Sequence, residues 1–235
     1  MEFSIVITLF NEAESLGLLQ QRLSTAMNRI SNDYEVIYVD DGSRDSSLET
    51  LKALRQKFPA MRIISFRKNK GQSVALYAGL KSSRGKWIIT LDADGQNPPE
   101  EIIRLLEFQD RFDFIAGIRK RRKDNFVKKI SSLSARFFRW LVLDDTTKDT
   151  GCSLRLFKRE IIDSLTFFYN FHRFFTFLVR TKGFLVKEVY VAHSRRMFGK
   201  SKYGICKRLK EGICDLLGVY WIKSRMMDYD IKYEC

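Results

Sequence analysis

Asp92 and Asp94 stand two residues apart in the stretch 86–101, KWIITLDADGQNPPEE, directly after the apolar run Trp87, Ile88, Ile89 and Leu91. Such a run reads as a buried strand. Alternation along it would throw the two carboxylates to one side of the chain and Ala93 to the other. Like charges this close repel unless something positive lies between or beside them. A divalent cation carrying a diphosphate meets that need, because hard cations take carboxylate and phosphate oxygens. An isolated Asp-X-Asp is more often a solvated acidic turn, so the surroundings decide. They offer a second case: the run Glu35–Val39 empties into Asp40-Asp41-Gly42-Ser43.

The elements that must position these acids follow from periodicity. Apolar runs at Phe3–Leu9, Glu35–Val39, Met61–Phe66, Trp87–Leu91 and Asp113–Gly117 read as five strands. Leu16, Leu19, Leu23, Met27 and Ile30 recur at helical spacing, as do Leu48, Leu51, Leu54 and Phe58, and 71–83 reads as a third helix rich in small residues. Pro98, Pro99 and two glutamates are how a further helix begins. Strands and helices alternating through short connections predict a mostly parallel sheet flanked by helices. Open α/β sheets bind ligands at the C-terminal ends of their strands, where acids distant in sequence converge on one crevice.

After Gly117 the character changes. Arg119-Lys120-Arg121-Arg122-Lys123 is a dense basic run, and 127–143 is amphipathic with Phe137, Phe138 and Trp140. Asp149-Thr150-Gly151-Cys152 precedes a strand-like Ser153–Phe157. The segment 167–179 is crowded with aromatics, 187–192 reads as another strand, and 205–222 as an amphipathic helix.

The 235 residues make one large domain, or one domain with an appendage. Their formal net charge of +14 implies an anionic partner. No apolar run reaches the ~20 residues that span a bilayer, and the N-terminus lacks the pattern of a signal peptide. Four cysteines without metal-site spacing read as reduced thiols of a cytoplasmic protein, and His172 and His193 as packing or surface residues.

The motifs ITLFNEAESL (7–16), VIYVDDGSRDSS (36–47), NKGQSVALYAGL (69–80), LDADGQNPPE (91–100), DTGCSLRLFKR (149–159) and RMFGKSKYG (196–204) together resemble the inverting family 2 glycosyltransferases. Within that family the chain looks most like the polyprenyl-phosphate sugar transferases, the group containing dolichol-phosphate mannose synthases. Many of these continue into transmembrane helices, which this chain does not show. The resemblance implies a GT-A fold over 1–203, with a nucleotide-sugar half (1–117), an acceptor half (118–203) and a C-terminal amphipathic helix and tail (204–235).

It also implies roles. Phe10, Asn11, Glu12, Asp40, Asp41, Gly71, Asp92, Ala93, Asp94 and Gln96 would frame a UDP- or GDP-linked donor. Asp92, Asp94 and Gln96 would hold Mg²⁺ or Mn²⁺, a Lewis acid for the departing nucleotide diphosphate. Arg119, Arg122, Arg196, Lys200, Ser201 and Lys202 would receive a polyprenyl or dolichyl phosphate. Asp94, Asp149, Arg119 and Arg196 are the implied catalytic residues. Asp149 falls where the family places a base or an acceptor-positioning acid, or it holds Arg155 or a basic loop in place. A phosphate acceptor is already anionic and needs positioning rather than deprotonation. The implied setting is the cytoplasmic face of a membrane, with peripheral attachment through the last helix or a small membrane-anchored partner protein.

Other readings are weaker. Gly199-Lys200-Ser201 echoes a P-loop, but Ser194 stands where that motif needs glycine. Aspartyl phosphotransferases carry Asp-X-Asp on the first strand, not the fourth. A nucleic-acid-binding protein would explain the charge but not acids at strand ends, so no nucleic-acid partner is expected. A transferase acting on a saccharide or other hydroxyl acceptor remains the alternative within the fold.

Overall fold

The computed structural model describes residues 1–120, 136–194 and 205–225. Its contacts group into two compact units, 1–123 with 147–200, and 124–146 with 201–235.

The first unit holds a seven-stranded sheet in the order β3-β2-β1-β4-β6-β5-β7. The strands are β1 (Phe3–Leu9), β2 (Tyr34–Asp40), β3 (Met61–Ser65), β4 (Trp87–Asp92), β5 (Phe114–Arg119), β6 (Arg155–Lys158) and β7 (Val186–Val191). The helices are α1 (Ala13–Met27), α2 (Ser47–Lys57), α3 (Gln72–Ser82), α4 (Ile102–Leu106), α5 (Glu160–Ser164) and α6 (Phe175–Thr181). β1 is buried along its whole length between parallel β2 and β4, which is why FSIVITL is mostly apolar, Ser4 and Thr8 excepted, rather than alternating. Leu16, Leu19 and Leu23 of α1 close over it with Tyr38, Leu51 and Ile89.

All seven strands expected from periodicity form. Their pairing carries one feature that periodicity does not encode: β6 inserts between β4 and β5 and runs antiparallel to both. The other six strands therefore share one direction, since β5 and β7 are parallel. The helix begun by Pro98-Pro99 is short, a 3₁₀ turn at Pro99–Glu101 followed by α4.

In the second unit, residues 136–143 are helical and α7 spans Ile205–Ser224. Lys223 donates to the Leu143 carbonyl at 2.8 Å, and Arg139 pairs with Asp145 at 3.2 Å. Phe137, Phe138, Trp140, Ile213, Tyr220 and Trp221 are exposed. The aromatic segment before residue 147 thus groups with the C-terminal helix. No helix among the described residues is long and apolar enough to cross a membrane.

Candidate active site

Because six strands run one way and β6 the other, the ends of β1 to β5 and β7 and the start of β6 open on one edge. The described residues that the sequence singles out collect along that edge.

At the end of β1, the backbone N–H of Asn11 donates to Ser43 Oγ (2.8 Å) and its side-chain carbonyl accepts from Arg44 N–H (2.7 Å). The Glu12 N–H donates to Ser47 Oγ at 3.0 Å. Asn11 and Glu12, which follow half-buried Phe10, are thereby tied to the turn after β2 and the start of α2.

Asp40 and Asp41 are both buried. Asp40 accepts from Ser43 N–H and Ser65 Oγ, each at 2.9 Å. Asp41 accepts from the N–H of Lys70 (2.6 Å) and Gly71 (2.8 Å) and from the Asn69 amide (2.9 Å). Burial outweighs those donors and raises the Asp41 carboxyl above the ordinary carboxylate range. Gly42, at φ +67°, lies so close to the following loop that a Cβ would stand 2.5 Å from the Lys68 carbonyl carbon. Asp41 therefore clamps the loop 69–71 and sets the start of α3, while Asp40 ties the turn after β2 to the end of β3.

Asp92 ends β4 half-buried, Ala93 is buried, and Asp94 is half-buried in the turn beyond. Asp92 Oδ1 accepts from the Gln72 amide (2.9 Å) and more loosely from Thr8 Oγ1 (3.4 Å). Its N–H donates to Ser153 Oγ at 3.1 Å. Ala93 is fixed by the Ser15 hydroxyl donating to its carbonyl (2.7 Å). Asp94 Oδ1 accepts from Gln96 N–H (3.1 Å), and the Gln96 carbonyl accepts from Ser194 N–H (2.8 Å). Burial first, and the Asp94 charge second, raise the Asp92 carboxyl to about 6. Two carboxylates this close repel each other and offer hard oxygens, so the pair fits a divalent cation. Among the described residues no group of three or more His, Cys, Asp or Glu gathers to hold a metal. A cation here would take Asp92, Asp94 and the Gln96 amide from the chain, and its remaining ligands from diphosphate and water.

Asp149 is treated in the opposite way. Arg119 Nε donates to its Oδ2 (2.8 Å) and Nη2 to its Oδ1 (2.7 Å), a bidentate pair, and the N–H of Arg119 and of Gly151 donate at 3.1 and 3.0 Å. Burial alone would raise this carboxyl, but the hydrogen bonds and charge of Arg119 prevail and hold it below the ordinary range. Arg155, also buried, turns elsewhere: its Nη2 donates to the carbonyls of His172 (3.1 Å) and Thr150 (3.5 Å), and its guanidinium lies over the Phe175 ring. The sequence offers Asp149 either Arg155 or a basic loop to hold, and the side chain bonded is Arg119, the first residue of the basic run.

His172 closes the site's rim. Ser73 Oγ accepts from Asn170 N–H at 2.8 Å and shares a hydrogen bond with His172 Nδ1, also at 2.8 Å. Burial, with Arg155 and Arg173 nearby, pushes the imidazole down to about 3.

Gln72, Ser73, Thr8 and Ser153 escape the sequence reading. The first two lie inside NKGQSVALYAGL, but no spacing links them to Asp92 or His172. Arg122, Arg196, Lys200, Ser201 and Lys202 lie outside the described residues.

The sheet order, with carboxylates at the ends of β2 and β4, defines a GT-A glycosyltransferase fold. The chain belongs to glycosyl transferase family 2, whose model matches residues 4–166. It is 38% identical over 207 residues to an undecaprenyl-phosphate 4-deoxy-4-formamido-L-arabinose transferase of Yersinia enterocolitica, covering 87% of this chain and 63% of that one. It is 36% identical over 225 residues to a dodecaprenyl-phosphate galacturonate synthase of Rhizobium johnstonii, covering 93% and 66%. The chain thus spans somewhat less than two thirds of the length of these relatives. Among solved structures, glucosyl-3-phosphoglycerate synthase of Mycobacterium tuberculosis, crystallised with Mn²⁺, UDP and phosphoglyceric acid, superposes with a TM-score of 0.69 at 14% identity, over 97% of this chain and 80% of that one. A mannosyltransferase of Pyrobaculum calidifontis, in complex with GDP-mannose and Mn²⁺, gives 0.67 at 14% identity, over 97% and 66%.

Proposed function

We propose that this chain is an inverting glycosyltransferase that moves a sugar from a UDP- or GDP-linked donor to a polyprenyl or dolichyl phosphate. The observation that carries the reading is the Asp92–Asp94 pair at the strand-end edge, with the Asp92 carboxylate oriented by the neutral Gln72 amide, on the same edge as an arginine oriented by Asp149. The names of the polyprenyl-phosphate relatives support the acceptor.

Asp92, Asp94 and Gln96 hold Mg²⁺ or Mn²⁺ against the donor diphosphate. When bound, the cation supplies Lewis acidity at the leaving diphosphate. Phe10, Asn11, Glu12, Asp40, Asp41, Gly71 and Ala93 frame the donor pocket, Asp40 and Asp41 by fixing its loops from within. The acceptor phosphate oxygen arrives as an anion, so the chain positions it in line rather than deprotonating it. Arg119, Arg122, Arg196, Lys200, Ser201 and Lys202 bind that phosphate, and Asp149 orients Arg119. Asp94, Asp149, Arg119 and Arg196 together carry the reaction. The exposed aromatics of the second unit suit the headgroup region of a membrane, which supports a peripheral position on the cytoplasmic face, alone or with a small membrane-anchored partner.

The test is sugar transfer from a panel of UDP- and GDP-sugars to a short polyprenyl phosphate, with and without Mg²⁺ or Mn²⁺, alongside Asp94→Ala. The expected result is cation-dependent product that falls by about 100-fold or more in the variant. Donor hydrolysis without lipid product would point to a hydroxyl acceptor, and no donor binding under any cation would overturn the reading.

A further inference from the structure

The site contains two carboxylates at one sheet edge whose surroundings differ in kind. Asp149 meets a guanidinium on both oxygens, so its charge is neutralised within the chain. Asp92 meets uncharged donors: the Gln72 amide at 2.9 Å and the Thr8 hydroxyl at 3.4 Å, both on Oδ1, with its backbone N–H tied to Ser153. The nearby cation Arg155 directs its hydrogen bonds to carbonyl groups. A neutral donor orients a carboxylate and leaves its charge for another partner, whereas an arginine in the same place would compete with a divalent cation.

Gln72 is suited to that task by where it sits. It is the first residue of α3, the helix whose entry is fixed by Asp41 through the N–H groups of Lys70 and Gly71. One position on, Ser73 anchors the same turn to His172 and Asn170. The base of the Gln72 side chain is therefore held from both flanks, and its amide reaches across to the end of β4.

We propose that Gln72 is a positioning residue for the cation site: it fixes the Asp92 carboxylate in the orientation that receives the divalent ion. The inference rests on the proposed cation-dependent reading of Asp92 and Asp94. Thr8, at the longer distance, contributes less.

The test is Mn²⁺ binding to the full chain in the presence of UDP, read by the electron paramagnetic resonance signal of free Mn²⁺. It compares wild type, Asp94→Ala, Gln72→Met and Thr8→Val. Gln72→Met keeps the length and helix propensity of the side chain and removes the donor. The expected result is Mn²⁺ binding in wild type that is lost in Asp94→Ala and weakened about 10-fold in Gln72→Met. Thr8→Val should weaken it by about 3-fold or less, in line with its longer contact. Thermal unfolding without Mn²⁺ should leave Gln72→Met within about 2 °C of wild type, which separates positioning from a structural role. Equal Mn²⁺ affinity in Gln72→Met and wild type, with Asp94→Ala defective, would overturn the role of Gln72 and leave the cation site standing. No Mn²⁺ binding by wild type would overturn both.

Discussion

The guanidinium of Arg119 lies edge-on against the carboxylate of Asp149, with two side-chain hydrogen bonds of 2.8 and 2.7 Å between groups that are both largely buried. A buried ion pair adds little net stability, but removing one member strands the other charge. Asp149→Asn keeps one acceptor and loses the charge, so it should cost about 2–3 kcal/mol in urea unfolding. Because the folded carboxyl titrates below its unfolded value, its contribution is complete above about pH 4 and fades as the pH falls through the folded value. The acid limb of the wild-type stability curve should therefore flatten in Asp149→Asn.

Gly151 offers a gentler way to disturb the same pair. A Cβ there would lie 2.4 Å from Arg119 Nη2, and the yielding atom is the tip of a flexible side chain rather than backbone. Gly151→Ala should lower stability by only about 1 kcal/mol, yet reduce transfer nearly as far as Arg119→Ala. Activity that survives intact in Gly151→Ala would mean that the precise seat of Arg119 does not matter.

Asp41 holds three donors of the loop before α3. Asp41→Ala leaves the N–H groups of Lys70 and Gly71, which sit at a part-buried position, without their acceptor, at a cost of about 1 kcal/mol. Amide hydrogen exchange should speed up at Lys70 and Gly71 well before it does in β1, and the KM for the donor should rise more than kcat falls.

His172 stays neutral, so its ring resonances should not titrate between pH 5 and 8. The unfolded chain binds a proton near pH 6.5 that the folded chain refuses. Stability from this group is therefore full above pH 6.5 and lost as the pH falls below it. The stability difference between wild type and His172→Gln should change by about 1.4 kcal/mol per pH unit below pH 6.

Strand positions and strand-end acids were legible because both are local: an apolar run ending in Asp is visible in ten residues. What those acids touch was not. Asp149 and Arg119 are 30 residues apart, Asp92 and Gln72 are 20, and Ser73 and His172 are 99. Such pairs depend on which strands become neighbours, and β6 enters the sheet out of sequence order and in reverse. Asp40 and Asp41 show the same limit from another side. Their residue type and place announce a pocket, yet their recorded hydrogen bonds are to the chain's own loops.

The reversed course of β6 has a consequence for how this architecture can diversify. The chain leaves β5 at Arg119 and re-enters the sheet at Arg155, and Ala116 lies directly opposite Arg155. The long excursion between them is in effect an oversized hairpin connection, departing and returning at adjacent points on one rim. Lengthening such a connection costs little closure entropy, roughly 0.6 kcal/mol per doubling, and alters no strand register. Its part before Asp149 is a replaceable cassette: new recognition surfaces can be trialled there while Asp149, Ser153, β1 to β4 and the acids they carry stay as they are.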